Sequence, residues 1–218
     1  GEKPRLFDEW QDAPKIWGAI RKSVDDEQKN GLYLLTGSSS QTVTTPHTGT
    51  LRISTLKMYP MSLYESKESN GTVSIKSLFD NPEALKDGCI SDLTIDDLIF
   101  VICRGGWPRC FINKTDRAKL AIAKDLFWQT CNVDISNIDG ISRNALWAET
   151  ILKSYARNVC TTAEKKTIEA DVQSACDVST VTINDYINAL KKLYIIEDID
   201  AWCPAIRSKT AIRSSVKR

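Results

Sequence analysis

The sequence has a single histidine, His47, and its seven cysteines, Cys89, Cys103, Cys110, Cys131, Cys160, Cys176 and Cys203, contain no CxxC pair. Structural zinc needs clustered Cys and His ligands at short spacings, so the usual zinc motifs are excluded. An odd, scattered set of thiols also argues against a disulfide framework; the cysteines read as reduced and buried. No apolar run approaches the ~20 residues that span a bilayer, and no leader pattern is read at the start. A cytoplasmic protein with no membrane partner is expected. Lys and Arg number 29 against 28 Asp and Glu, a net charge of +1, so no overall field draws the molecule to nucleic acid and any basic surface must be local.

What is present falls into two styles of sequence. Arg5 to Trp10 reads as a short strand that ends in acid. Asp12 is placed to cap a helix with Pro14 in its first turn, and Ile16, Trp17, Ile20 and Val24 recur at helical spacing. After a turn at Asn30-Gly31, "LYLLT" is a continuous apolar run, the pattern of a strand covered on both faces in a parallel sheet. The Ser/Thr-rich stretch "TGSSSQTVTTPHTGT" reads as a loop, and "LRISTLKMYPMSLYE" as a further strand or two.

From Thr94 the pattern turns helical, with a capping box at Thr94 and Asp97 and a stop at Gly105-Gly106 before Pro108. Helices are expected over 116–133 and 144–159. Residues 165–175, 179–193 and "YIIEDI" then read as helix, turn, helix, strand, with Ile183, Ile187, Leu190 and Tyr194 facing inward. That order suits a winged helix. The expected fold is therefore an α/β remnant, a partial P-loop-type parallel sheet, followed by a helical region and a winged helix, mostly α overall. Its divisions are 1–65 for the sheet, 66–160 for the helical region, 161–202 for the winged helix and 203–218 for a basic tail.

The chemistry concentrates at "RLFDEW". A strand ending in adjacent carboxylates, Asp8 and Glu9, has the form of a Walker B motif: Asp8 can hold Mg²⁺ while Glu9 polarises the attacking water, and both need a rigid strand for placement. A solvated acidic turn is the plain alternative. "LLTGSSS" adds Ser38 or Ser39 as a polar residue at the tip of the neighbouring strand, where it could sense a terminal phosphate, and Arg52 could reach a phosphate or pair on the surface. Walker A, GxxxxGK[ST], cradles phosphates on backbone N–H groups at a helix N-terminus; none of the ten glycines precedes a lysine. The chain by itself is expected to bind no nucleotide. On the winged helix, Thr180, Thr182, Asn184, Asn188, Lys191 and Lys192 are candidates for nucleic-acid contact, while Asp185 opposes phosphate. The basic tail adds Arg207, Lys209, Arg213, Lys217 and Arg218.

Taken together, "RLFDEWQDAPKIW", "LYLLTGSSS", "HTGTLRISTLKMYPMSLYES", "CRGGWP" and "INALKKLYIIEDIDAWCPAIRSKTAIRSS" resemble the bacterial and archaeal AAA+-superfamily ATPases that carry a C-terminal domain of unknown function. The resemblance implies an order of P-loop core, Walker B, sensor strand, helical region, winged helix and a final nuclease-like domain. It implies ATP and Mg²⁺ as cofactors, with Asp8 and Glu9 as the Walker B acids and Asp8 as the metal residue. Ser39 falls near the sensor position, and Arg52 matches the arginine after the sensor loop. The chain departs from that order at both ends and reads as an internal fragment, beginning at Gly1 without a P-loop. Other readings are a winged-helix module that binds nucleic acid, and a scaffold that forms homo-oligomers through the exposed edge of half a sheet.

Overall fold

The short segments Arg5–Phe7 and Tyr33–Leu35, rich in bulky apolar residues, form two strands, β1 and β2, that pair in parallel with Arg5 opposite Tyr33 and Phe7 opposite Leu35. The computed structural model describes residues 4–37, 51–85, 88–112 and 115–199. Helix α1, Lys15–Glu27, connects the strands. Its apolar face buries Ile20 and half-buries Ile16, Trp17 and Val24, and Trp17 stacks on Trp10 with ring centroids 5.0 Å apart. Ser23 on α1 hydrogen-bonds the Tyr33 hydroxyl at 2.8 Å, which places α1 on the Tyr33 side of the sheet. Because successive side chains of a strand alternate faces, Leu6 and Leu34, partners in register, share the other side, and both are exposed.

The chain divides into two compact units, Gly1–Thr55 with Gln129–Arg218, and Leu56–Trp128. In the second lie α2 (Ile75–Asp80), α3 (Ile95–Arg104), α4 (Pro108–Ile112) and most of α5 (Asp116–Gln129). Thr94 and Asp97 form the expected capping box, and Gly105 ends α3 at φ 73°, a conformation open to glycine at little cost. Arg104 is buried on this helix: its guanidinium forks onto Glu68 at 2.7 and 2.8 Å and lies 4.3 Å from the Phe111 ring.

After α5 a π-helical turn, Thr130–Asp134, leads into α6 (Ile135–Asn137), then α7 (Ala145–Arg157), α8 (Lys165–Ala175) and α9 (Thr180–Lys192). Their apolar stripes converge on one core, with Cys131, Ile135, Ile151, Ile168, Val172, Ile183, Tyr186, Ile187 and Leu190 all buried. The protein is mostly helical with a small parallel sheet. No helix among the described residues is long and apolar enough to cross a membrane.

Several elements differ from the sequence reading. Asp12 lies in a 3₁₀ turn, Trp10–Asp12, and Pro14 takes the cap position of α1 without a side-chain hydrogen bond. Residues 53–61 form no strand: Pro60 lacks a ladder donor, and the Met61 N–H is given to Gly106 O at 2.7 Å. No strand forms over 194–199 either, apart from a single bridge residue at Ile199. The physical reason is the end of α9. Tyr194 turns to φ 57°, and the N–H groups of Leu193, Tyr194 and Ile195 return to helix carbonyls, which leaves them nothing to give a sheet. Tyr194 is 46% exposed, and Tyr186 takes the inward place expected of it. The thiols divide as well, Cys110 and Cys131 being buried while Cys89, Cys103 and Cys160 are exposed.

Candidate functional site

Parallel pairing in register brings the carboxyl ends of both strands to one edge. Phe7 O accepts from the Thr36 N–H at 3.0 Å, and Thr36 O accepts from the Trp10 N–H at 3.2 Å, so the ladder continues past the strands and frames the two acids between its rungs. Asp8 is exposed at this edge, and the Thr36 hydroxyl donates to its Oδ1. Glu9 takes a left-handed conformation, φ 47° and ψ 48°. A non-glycine residue at positive φ carries strain that its surroundings must hold; here the following 3₁₀ turn does so, together with the Gln11 amide, which donates to the Glu9 carboxylate.

The arrangement is a strand-end pair of carboxylates beside a hydroxyl, on the side of the sheet where open α/β folds bind ligands. Among the described residues no three His, Cys, Asp or Glu side chains converge as a metal cluster. A divalent cation at Asp8 would therefore draw most of its ligands from water and from phosphate oxygens, which is how Mg²⁺ is commonly held. Ser38 and Ser39 follow directly in sequence and lie outside the described residues. Arg52 is seated against α1, its Nε 2.6 Å from Asp25 Oδ1, with both side chains about two-fifths exposed. A pair so exposed contributes at most about 1 kcal/mol and can be exchanged for another anion.

The other candidate face is on α9. Ser179 caps it, accepting from the Thr182 N–H at 3.2 Å, and its hydroxyl lies 2.9 Å from Thr182 Oγ1. Thr180 is exposed and accepts from Gln173 at 3.4 Å. Asn188 and Lys192 are exposed, Asn184 is half-buried, and Lys191 reaches Asp198 at 2.7 Å. The described turn after α8 borders a shallow hollow lined by Gln173, Ser174, Cys176 and Asp177.

A node that the sequence reading did not single out organises this face. Arg143, its side chain 1% exposed, donates to both carboxylate oxygens of Asp139 at 2.6 and 2.8 Å, to Asp185 Oδ2 at 2.9 Å and to Ile135 O at 2.6 Å. Beside it the Asn144 N–H donates to the Tyr186 hydroxyl at 2.6 Å. The guanidinium holds the Asp139 carboxyl below the usual carboxylate range, and its own pKa is raised. Asp185, which looked wrongly charged for a DNA-reading helix, is a ligand of this arginine. The only sequence signal was an Asp four residues before an Arg, a spacing too common to mark a node.

Residues 1–67, which hold the parallel strands, the connecting helix and the acid edge, match the family profile of the AAA domain, a similarity that points to an AAA-like ATP-binding fold for this segment. The chain itself belongs to the family described as Domain of unknown function (DUF8612), whose profile matches residues 95–218. No curated protein and no solved structure matches the chain.

Proposed function

We propose that residues 1–67 supply the hydrolytic edge of an AAA-type ATPase: Asp8 binds Mg²⁺ through its hydration shell, and Glu9 orients and deprotonates the attacking water. The observation that carries this reading is the register of β1 and β2, which sets Asp8 and Glu9 at the carboxyl edge of a parallel sheet beside Thr36. AAA domains bind ATP and Mg²⁺ as a class; the nucleotide supplies the γ-phosphate that is cleaved, and this chain supplies the groups that order water and cation around it. Ser39 would sense that phosphate from the strand tip, and Arg52 would leave Asp25 to meet its charge.

The residues fit the hydrolytic half of such a site and lack the binding half. No GxxxxGK[ST] occurs within residues 1–218, so the phosphate cradle must come from polypeptide outside this sequence. Calorimetry of the chain with Mg-ATP is expected to show no binding at micromolar concentration, and micromolar binding would overturn the need for an outside cradle. In a polypeptide that carries a phosphate loop ahead of these residues, Glu9→Gln should leave nucleotide affinity intact and lower turnover by about 10²–10⁴-fold. Undiminished turnover would remove Glu9 from the mechanism.

Nucleic-acid binding by the α8–α9 pair has weaker support, since Lys191, one of the two lysines of α9, is engaged by Asp198.

A further inference from the structure

Helix α3 carries its apolar stripe outward. Ile95, Ile99 and Ile102 stand at i, i+4 and i+7, one face of a helix, and are 77%, 55% and 71% exposed, with Leu98 beside them at 41%. The side that faces inward holds Val101 and a charge, Arg104, which is 4% exposed and forked onto Glu68. Turning the helix to hide the isoleucines would expose Val101 and pull Arg104 from its partner. Leaving a buried charge unpaired is strongly unfavourable, so the fork fixes the stripe toward solvent.

We propose that a second copy of this chain covers the stripe, α3 packing antiparallel on α3 about a two-fold axis near Ile99. The charges at the two ends of the helix favour this occupant. Asp92 and Asp96 are exposed at its amino end. At its carboxyl end, Cys110 Sγ donates to Arg104 O at 3.6 Å, which seats α4 there and brings exposed Arg109 with it. Antiparallel pairing sets the acids of each copy against Arg109 of the other, twice over, as an isologous interface requires. Parallel pairing would set acid against acid. The helix dipoles also oppose favourably, and a net charge of +1 gives two copies little to repel.

Four apolar side chains on one short helix offer less than the ~800 Å² that a standard interface buries on each side. The dimer is therefore expected to be weak and reversible. This inference is independent of the ATPase reading, because it rests on unit Leu56–Trp128 alone.

Sedimentation equilibrium of the full chain from about 10 µM to about 1 mM, the range in which weak contacts populate, should show a reversible monomer–dimer shift. Ile99→Asp should abolish it with an unchanged far-UV spectrum, since Ile99 is more than half exposed in the monomer. Asp96→Arg should weaken it about fivefold, from two exposed pairs lost together, and Arg109→Asp added to that variant should restore it. A chain that stays monomeric throughout overturns the proposal, as does a dimer that survives Ile99→Asp with Ile102→Asp. Failure of the charge exchange to restore pairing overturns the antiparallel arrangement. A monomeric chain whose stripe instead captures a basic amphipathic helix of another protein also refutes the second copy.

Discussion

Replacing Arg143 by methionine keeps most of the side-chain volume and removes the charge on which Asp139, Asp185 and Ile135 O converge. The two acids do not lose equally. Asp185 is 50% exposed and Asp139 24%, so Asp185 can rehydrate almost fully and its share is that of a surface pair, below about 1 kcal/mol. Asp139 recovers less water, and Ile135 O loses a short bond within the core. An unsatisfied buried acceptor costs about 1–3 kcal/mol, and the sum comes to about 3 kcal/mol, the low end for breaking a buried pair. With a urea m-value of about 2 kcal/mol/M, the midpoint should fall by about 1.5 M. The chain has two units, so the readout should be local: hydrogen exchange of the α7 and α9 amides in urea. Asp139→Asn should cost less, and adding it to Arg143→Met should cost little more, because the lost pair is shared. The sign of the pH effect follows from the lowered Asp139 pKa. A carboxyl depressed in the folded state stabilises fully above its unfolded value of about 3.9 and loses that contribution as pH falls through the folded value. Arg143→Met should flatten the acid limb below about pH 4. A loss under about 1 kcal/mol with an unchanged acid limb would refute the reasoning.

In the other unit, Arg104 holds Glu68 below the usual carboxylate range, so the same sign applies. Glu68→Gln should weaken that unit at neutral pH and reduce its loss of stability below about pH 4.3, measured by exchange of the α3 amides. Burial pushes the Cys131 thiol up to about 11, so alkylation at pH 8 with peptide mapping should modify exposed Cys89, Cys103 and Cys160 and spare Cys131 until the fold opens. A Cβ at Gly106 would collide with Met61 O, where the Met61 N–H already bonds Gly106 O. Gly106→Ala should therefore lower stability by about 1–3 kcal/mol in urea titrations.

Local signals explain what the sequence made legible. The capping box at Thr94 and Asp97, the Gly105 stop and the apolar spacing of Ile168, Val172, Ile183 and Ile187 each involve neighbours within a turn or two, so α3, α7, α8 and α9 could be read with nearly correct ends. Helix α2 was missed because its box is serine to serine, Ser74 with Ser77, and it runs for only six residues, Ile75–Asp80, too few to show a helical period. The wing was over-read. "YIIED" has strand propensity, but the carbonyls at the end of α9 captured its amides first. The Arg143 node was illegible for another reason. It joins residues 42 apart, Arg143 and Asp185, and nothing in either neighbourhood distinguishes a buried fork from two surface charges. The acids at Asp8 and Glu9 were legible as a pair; their relation to Thr36, 28 residues on, depends on parallel register and emerges only in the fold.

That register also leaves one face of the sheet open. Parallel strands normally have both faces covered, and α1 covers the Tyr33 face, yet Leu6 and Leu34 opposite are 62% and 57% exposed. Burying what is still exposed of both leucines would contribute about 2–4 kcal/mol, a large share of the stability of a small domain. A sequence that spends leucine at these register-matched positions is written for a covered sheet. In the proposed ATPase the polypeptide that brings the phosphate cradle would also cover that face. The hydrophobic demand of the sheet and the chemical demand of Asp8 and Glu9 would then be met by the same segment, so nucleotide binding and completion of the fold would be one event. Leu6→Thr with Leu34→Thr should then cost little in the chain alone and abolish assembly with a phosphate-loop segment.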